Sequence, residues 1–578
     1  MPFVVLMTHS LSGKPSVMAV TVAGSRRRVL DVFHCLSSCW DQVQVSRHGA
    51  YTGRRARALE RYVQSASMLR VLAVCVLTPL PVLGFVLLQE LVPLDAPAAG
   101  WKANYRWLIR SAVIFLVLTL SYIQQGVIFL APLKVSSRQA LLVALTTTAT
   151  YFGVLVGIST AWVFPIPFAS VLTTGVVTCL FFGFFVVVVG WRTITTTPRL
   201  SAHARILKGV LVVEVVIVFV YPAFNAAFRV LRGAQQLAFL LVLFLLKVVM
   251  RFAMAYVLRH GRGSSSVTER WRARLPEVVV FTTELFHVLY LTACLQGQHV
   301  TIWATIGLSL FDASGSMISV RYLLQRPSVA LTSRPVALNA GPSQRSLRAI
   351  VPLSATHFYS SRKLPTIESA TSFRLSSRRR SSTASLSTSR RLSVAFASSA
   401  ANLKLAKRCS SGSSMGSNQS ASRCVPQPIR TDTRNTETVK LTAQYIAAEV
   451  SRLQTLSMTE YFLLVEYVKC IVPAIYGVFQ VVLPHLPNAV YYPSVANATS
   501  HDLSRTQANM VVFVAMEVLS LTTFVLLLHH RLKFSVLHQL AFVLETAADD
   551  IQAKLAMFIP YCFFFFLEHN GTWPGVSS

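Results

Sequence analysis

Between residues 69 and 322 apolar runs of about twenty residues alternate with short polar stretches, and after a long polar interruption the same alternation resumes near residue 460. The runs fall at 69–89, 110–133, 139–163, 169–190, 209–228, 237–258, 278–297, 300–322, 460–483, 510–530 and 555–567. Each is continuous rather than alternating, so it reads as a helix that satisfies its own backbone in lipid, and not as a barrel strand. The pattern predicts an all-α polytopic α-helical transmembrane bundle of about eleven spans, eight plus three, with a long disordered cytosolic insert. Its expected parts are a basic N-terminal segment 1–68, an eight-span region 69–322, the insert 323–440, and a final region 441–578. Two runs fit less well: 300–322 carries Asp312 and Gly315, and 555–567 is short. In the final region Leu441, Tyr445, Val450, Leu453 and Leu456 share one helical face, which predicts an interfacial amphipathic helix before the ninth span.

Composition agrees: 53% of residues are hydrophobic and 13% charged. The formal charge of +32 would suggest nucleic-acid binding in a soluble chain, but most of it sits in loops, and no nucleic-acid partner is expected. The nine cysteines form no CxxC pair and have no histidine at zinc-ligand spacing, so neither a disulfide framework nor a metal is implied. The N-terminal "MPFVVLMTHSLSGKPS" lacks a basic n-region and a cleavage site, leaving the first span as the expected targeting signal.

Basic residues in short loops resist translocation and so fix orientation. With a cytosolic N-terminus the inner loops hold fifteen lysines and arginines, among them Lys134, Arg138, Arg205, Lys208 and Arg274, against six outside: Lys102, Arg106, Arg110, Arg229, Arg232 and Arg505. The C-terminus is then outside. Candidate N-glycosylation sequons at Asn497 and Asn570 fall on the outer side in this topology.

The insert is rich in serine, threonine and arginine, with 19 basic and three acidic residues over 326–440, a net of +16. Too little apolar surface is available there to offset chain entropy. "RRSS", "RRLS" and "KRCS" place basic residues before Ser382, Ser393 and Ser410, the spacing a basophilic protein kinase uses, although a Ser/Arg linker also produces such tetrapeptides. A loop of this charge is expected to lie on anionic lipid and to be loosened by phosphate.

Charge at membrane depth is costly and so needs a reason. Glu214 in the fifth span, Lys247 and Arg251 four apart in the sixth, and Glu284 and His287 three apart in the seventh form the expected intramembrane polar cluster. It reads either as a lock between three helices or as a pathway for an ion, a proton or a small solute. Glu466 and Lys469 read as a local pair, and Glu517 has no evident partner. Ala149, Gly153, Gly157 and Ala161 make a small-residue ridge on the third span, expected to pack within the fold or between protomers; the oligomeric state stays open. Glu545, Asp549 and Asp550 near His529, His530 and His538 read mainly as the solvated face of an interfacial helix.

No nucleophile elbow, phosphate-binding glycine loop, repeated histidine box or selectivity-filter sequence occurs, so an enzyme is not expected and no cofactor is implied. Two functions fit. One is a transporter-like or channel-like protein using the polar cluster, and the other is a membrane-anchored sensor or scaffold whose basic loop is phosphorylated. Which membrane it occupies is open.

Two stretches resemble a known group. "YTGRRARALERYVQ" with "LTPLPVLGFVLLQELVPLDAPAAGWKANYRWLIR", and "LHQLAFVLETAADDIQAKL" near the C-terminus, look like the ends of a large family of uncharacterised polytopic membrane proteins in oomycetes. The resemblance implies a multi-pass helical fold and no particular activity. Against that family, the chain's ending soon after Trp573 suggests a shortened C-terminus.

Overall fold

The structure, a computed structural model, describes residues 51–130, 133–167, 169–197, 200–231, 234–260, 271, 273–295, 302–325, 433–496, 498–532 and 534–570. Most of the insert lies outside them, with Ser382, Ser393, Ser410 and Asn497. The described residues are helical, without a strand.

A short helix α1 (Gly53–Ser65) starts at Thr52, whose hydroxyl accepts from the Arg55 amide. The first span is α2 (Met68–Leu77) and α3 (Leu80–Glu90), broken at Thr78–Pro79 where proline offers no N–H. Then come α4 (Tyr105–Phe129), α5 (Ser137–Ala161), α6 (Thr174–Val189), α7 (Leu200–Val230) and α8 (Ala234–His260). The seventh span, α9 (Leu275–Cys294), contains a π-helical stretch at Val280–Glu284. After it follow α10 (Ile302–Gln325), α11 (Thr433–Val482), α12 (Ser500–Leu532), α13 (Val536–Thr546) and α14 (Ala548–Phe565).

Eight of these segments are long and apolar enough to cross a membrane, which makes this a multi-pass membrane protein. Three of the eleven expected runs are not among these eight: the eighth (α10), the eleventh, and the fourth, which gives one turn at Ala169–Leu172 and the 16 residues of α6, about 24 Å of helix. The eleventh run is part of an 18-residue helix that reaches back to Asp549, Asp550 and Lys554. The predicted amphipathic helix and the ninth span are one continuous element, α11.

Most of the long spans bury one face and expose an apolar face on the other side. On α8, Leu240, Leu243, Lys247, Met250 and Met254 are buried, whereas Leu241, Leu245 and Val249 on the opposite face are exposed. The recurrence every three or four residues is that of a helix with one face on protein and the other on lipid. The centre is α9, where 94% of the apolar window is buried against 17% in the first span. Beside it runs α14, which packs on α3, α4 and α9. Residues on both sides of the insert belong to one compact unit, 1–358 with 445–578; residues 359–444 form a second, of which the structure describes only the first turns of α11.

Two expectations are corrected here. The ridge of Ala149, Gly153, Gly157 and Ala161 does not pack within the fold: all four are exposed, and a Cβ on either glycine would meet nothing within 4 Å. The acidic group after α12 is only partly a solvated face: Asp549 is exposed and Glu545 half-buried, but Asp550 is buried, and α13 packs on α1 and α2.

Candidate functional site

At membrane depth the structure joins six charged side chains from four helices into a ladder. Glu284 takes Arg251 on one carboxylate oxygen and the Lys247 ammonium at 2.7 Å on the other. Lys247 also reaches Asp312 of α10 at 3.4 Å, and Asp312 receives Lys469 of α11 at 2.6 Å. Lys469 then contacts Glu466 at 2.9 Å, and the hydroxyls of Ser316 and Ser520 donate to Glu466 at 2.5 and 3.1 Å. Three cations face three carboxylates, so the ladder is neutral as drawn. It ties α8, α9, α10 and α11 together, with α12 joining through Ser520. Such a buried network costs desolvation on every ion and holds only because each has partners.

Local sequence explains the placement. Lys247 and Arg251 lie one turn apart and present both cations to the same side of α8. Glu284 closes the π stretch of α9, which widens one turn; such insertions are rare and recur at functional sites. His287, one turn further, is 1% exposed; neither of its ring nitrogens has a hydrogen-bond partner among the described residues, and its ring lies 5.3 Å from that of Phe244.

Of the five residues expected to cluster, four do: Lys247, Arg251 and Glu284 in the ladder, His287 beside it. Glu214 does not join. It faces a separate cavity between α4, α6, α7 and α14. The sequence reading missed Asp312, taken as an interruption of the eighth span, and treated Glu466 and Lys469 as a local pair. Their signal was present: each is an ionisable group inside an apolar run. Glu517 is buried on α12, and its backbone carbonyl accepts from the Cys470 thiol at 3.2 Å.

Two further polar knots close the ends of the bundle. At the end assigned to the cytosol, Arg55 contacts Glu277 at 2.8 Å and Glu460 at 2.7 Å. Burial pulls the Arg55 guanidinium pKa down, but Glu277 and Glu460 more than offset this and hold it above its usual value. Nearby, Arg70 and Tyr62 both bond to Glu545, so the acidic residues near the C-terminus are used separately: Asp550 pairs with Lys554 at 2.8 Å. His538 bonds to Ser535 and to the Ala66 carbonyl.

At the opposite end Glu90 binds Arg110 and accepts from the Tyr492 hydroxyl at 2.5 Å, while Asn488 donates to the Glu90 and Val92 carbonyls. Arg110, counted from sequence as an outer-loop charge, is thus buried in the protein. The side chain of His569 bonds to the Asp95 carbonyl at 2.7 Å and to Asn104 at 3.1 Å. Burial is the main cause holding its imidazole pKa down at about 4. Asn570 is 4% exposed and its amide donates to the Phe564 carbonyl, so its side chain points into the protein. Comparison of the chain with protein-family models, with curated proteins and with solved structures found no match to any of them.

Proposed function

We propose that this multi-pass membrane protein is transporter-like or channel-like, with the ladder from Arg251 to Glu466 as the polar pathway. The observation that carries the reading is Glu284, an acid shared by two cations and set in a π turn of the most buried span. A lock between helices needs one partner per charge. Here Glu284 and Asp312 each bridge two cations, and Lys247 stands between them. Loss of charge on either acid would let Lys247 move to the other, which gives the ladder two arrangements that an entering ion or proton could bias. His287, beside the lysine and without a hydrogen-bond partner among the described residues, offers a second place for a proton.

Proteoliposomes carrying the full chain should pass at least one solute from a panel of inorganic cations, anions and small organic ions faster than empty vesicles do. Glu284→Gln and Lys247→Met should each lower that flux about tenfold or more with helical content retained, as expected for loss of a required charge. Absence of flux across the whole panel, or full flux in both variants, would contradict the proposal.

A further inference from the structure

The carboxylate of Glu214 stands alone in a cavity of about 160 Å³. The residue is 5% exposed, and neither oxygen has a hydrogen-bond partner among the described residues. An isolated carboxylate in such surroundings is costly unless something completes it. The cation in electrostatic reach, Lys554 of α14, is itself held by Asp550 at 2.8 Å. Among the described residues no cation is placed to complete it, so the carboxylate either takes up a proton or is met by a cation from outside the protein.

The cavity walls restrict what that cation can be. They are aromatic and aliphatic, with Tyr122, Phe181 and Phe558 among them. The Thr119 and Thr178 hydroxyls lie in the same wall, but each already donates its proton to a backbone carbonyl one turn back, at 2.8 and 2.7 Å. Their oxygens are left only to accept. An ammonium group would find the Glu214 carboxylate, two accepting hydroxyls and aromatic faces, all suited to a cation. An anion would meet that carboxylate, and the wall sets no cation against it, only the Tyr122 and Tyr561 hydroxyls. The volume suits one six-membered ring, since an engineered apolar cavity of about 150 Å³ holds benzene.

We propose that this cavity is a binding site for a small apolar monoamine in its ammonium form, with Glu214 as counter-ion. None of its residues belongs to the ladder, so the site stands or falls separately from the pathway.

The test uses the purified full chain in lipid nanodiscs at neutral pH, titrated with benzylamine, toluene and benzoate by ligand-observed NMR. Benzylamine should bind at least about tenfold more tightly than toluene, the effect of one charge-assisted contact, and benzoate should not bind. Glu214→Gln should remove that preference while leaving toluene binding unchanged. Val218→Phe, which fills the cavity without touching the charge, should abolish binding of both, and it serves as the second variant if the glutamine form does not fold. Equal affinity of the unaltered chain for benzylamine and toluene, no benzylamine binding to it, a preference for benzylamine that survives Glu214→Gln, or binding of either ligand that survives Val218→Phe would overturn the proposal.

Discussion

Single residues decide how the charges inside this protein are tolerated. His569 stays neutral in the fold down to about pH 4, whereas an unfolded histidine takes up its proton near pH 6.5. The unfolded state therefore binds the proton first as pH falls. The stability that His569 contributes is complete above about pH 6.5 and is lost as pH falls from there through about 4. The thermal midpoint of the purified protein should drop by several degrees over that window, and His569→Gln should flatten part of the drop. An identical pH profile in the two proteins would contradict this role. Residue spacing made some of the candidate site legible beforehand: Lys247 with Arg251, and Glu284 with His287, share helix faces by periodicity alone. Glu214 was grouped with them because rise along a helix gives depth, but it does not tell which neighbour a side chain faces. Asp312, Glu466 and Lys469 were visible as charges in apolar runs, yet their pairing spans more than 150 residues of chain between Asp312 and Lys469, and no local pattern encodes that.

At the scale of elements, most spans were legible because lipid-crossing length and continuous apolarity are properties of one segment. What could not be read was which span occupies the centre. The short last run fitted poorly, and its helix α14 is among the most buried, because Asp550 and Lys554, just before the run, satisfy each other there instead of reaching water. The glycines show the same limit. Gly153 and Gly157 match a helix-packing motif but face outward, whereas Gly209, in no motif, lies tight against α8: a Cβ there would lie 2.5 Å from the Val257 side chain. Gly209→Val should accordingly cost about 1–3 kcal/mol by overpacking, while Gly157→Leu should change stability by less than about 0.5 kcal/mol. Unfolding titrations in mixed micelles separate the two, and equal losses would show that the ridge, not Gly209, is packed within the fold.

On the scale of the whole molecule, the distribution of side chains is that of a protein dissolved in lipid. Many leucines and valines face outward on the long spans, while the charges at the depth of those spans lie within. The two end knots bear on topology as well. Every residue that loop charge assigns to the cytosolic end and that forms a long-range contact there, among them Arg55, Arg70, Glu277 and Glu545, meets others assigned to the same end. Likewise Glu90, Arg110, Asn488, Tyr492 and His569 gather at the other. An odd error in the number of spans between any two of these segments would have placed them on opposite faces. The bundle is thus two-sided, and the loops around Lys102 and Arg138 are expected to lie across a membrane from each other. Labelling with a membrane-impermeant maleimide in sealed, right-side-out vesicles tests this directly, using single cysteines at these two exposed positions in a cysteine-free background. Lys102→Cys should react without permeabilisation and Arg138→Cys only after it; reaction of both from the same side would contradict the arrangement.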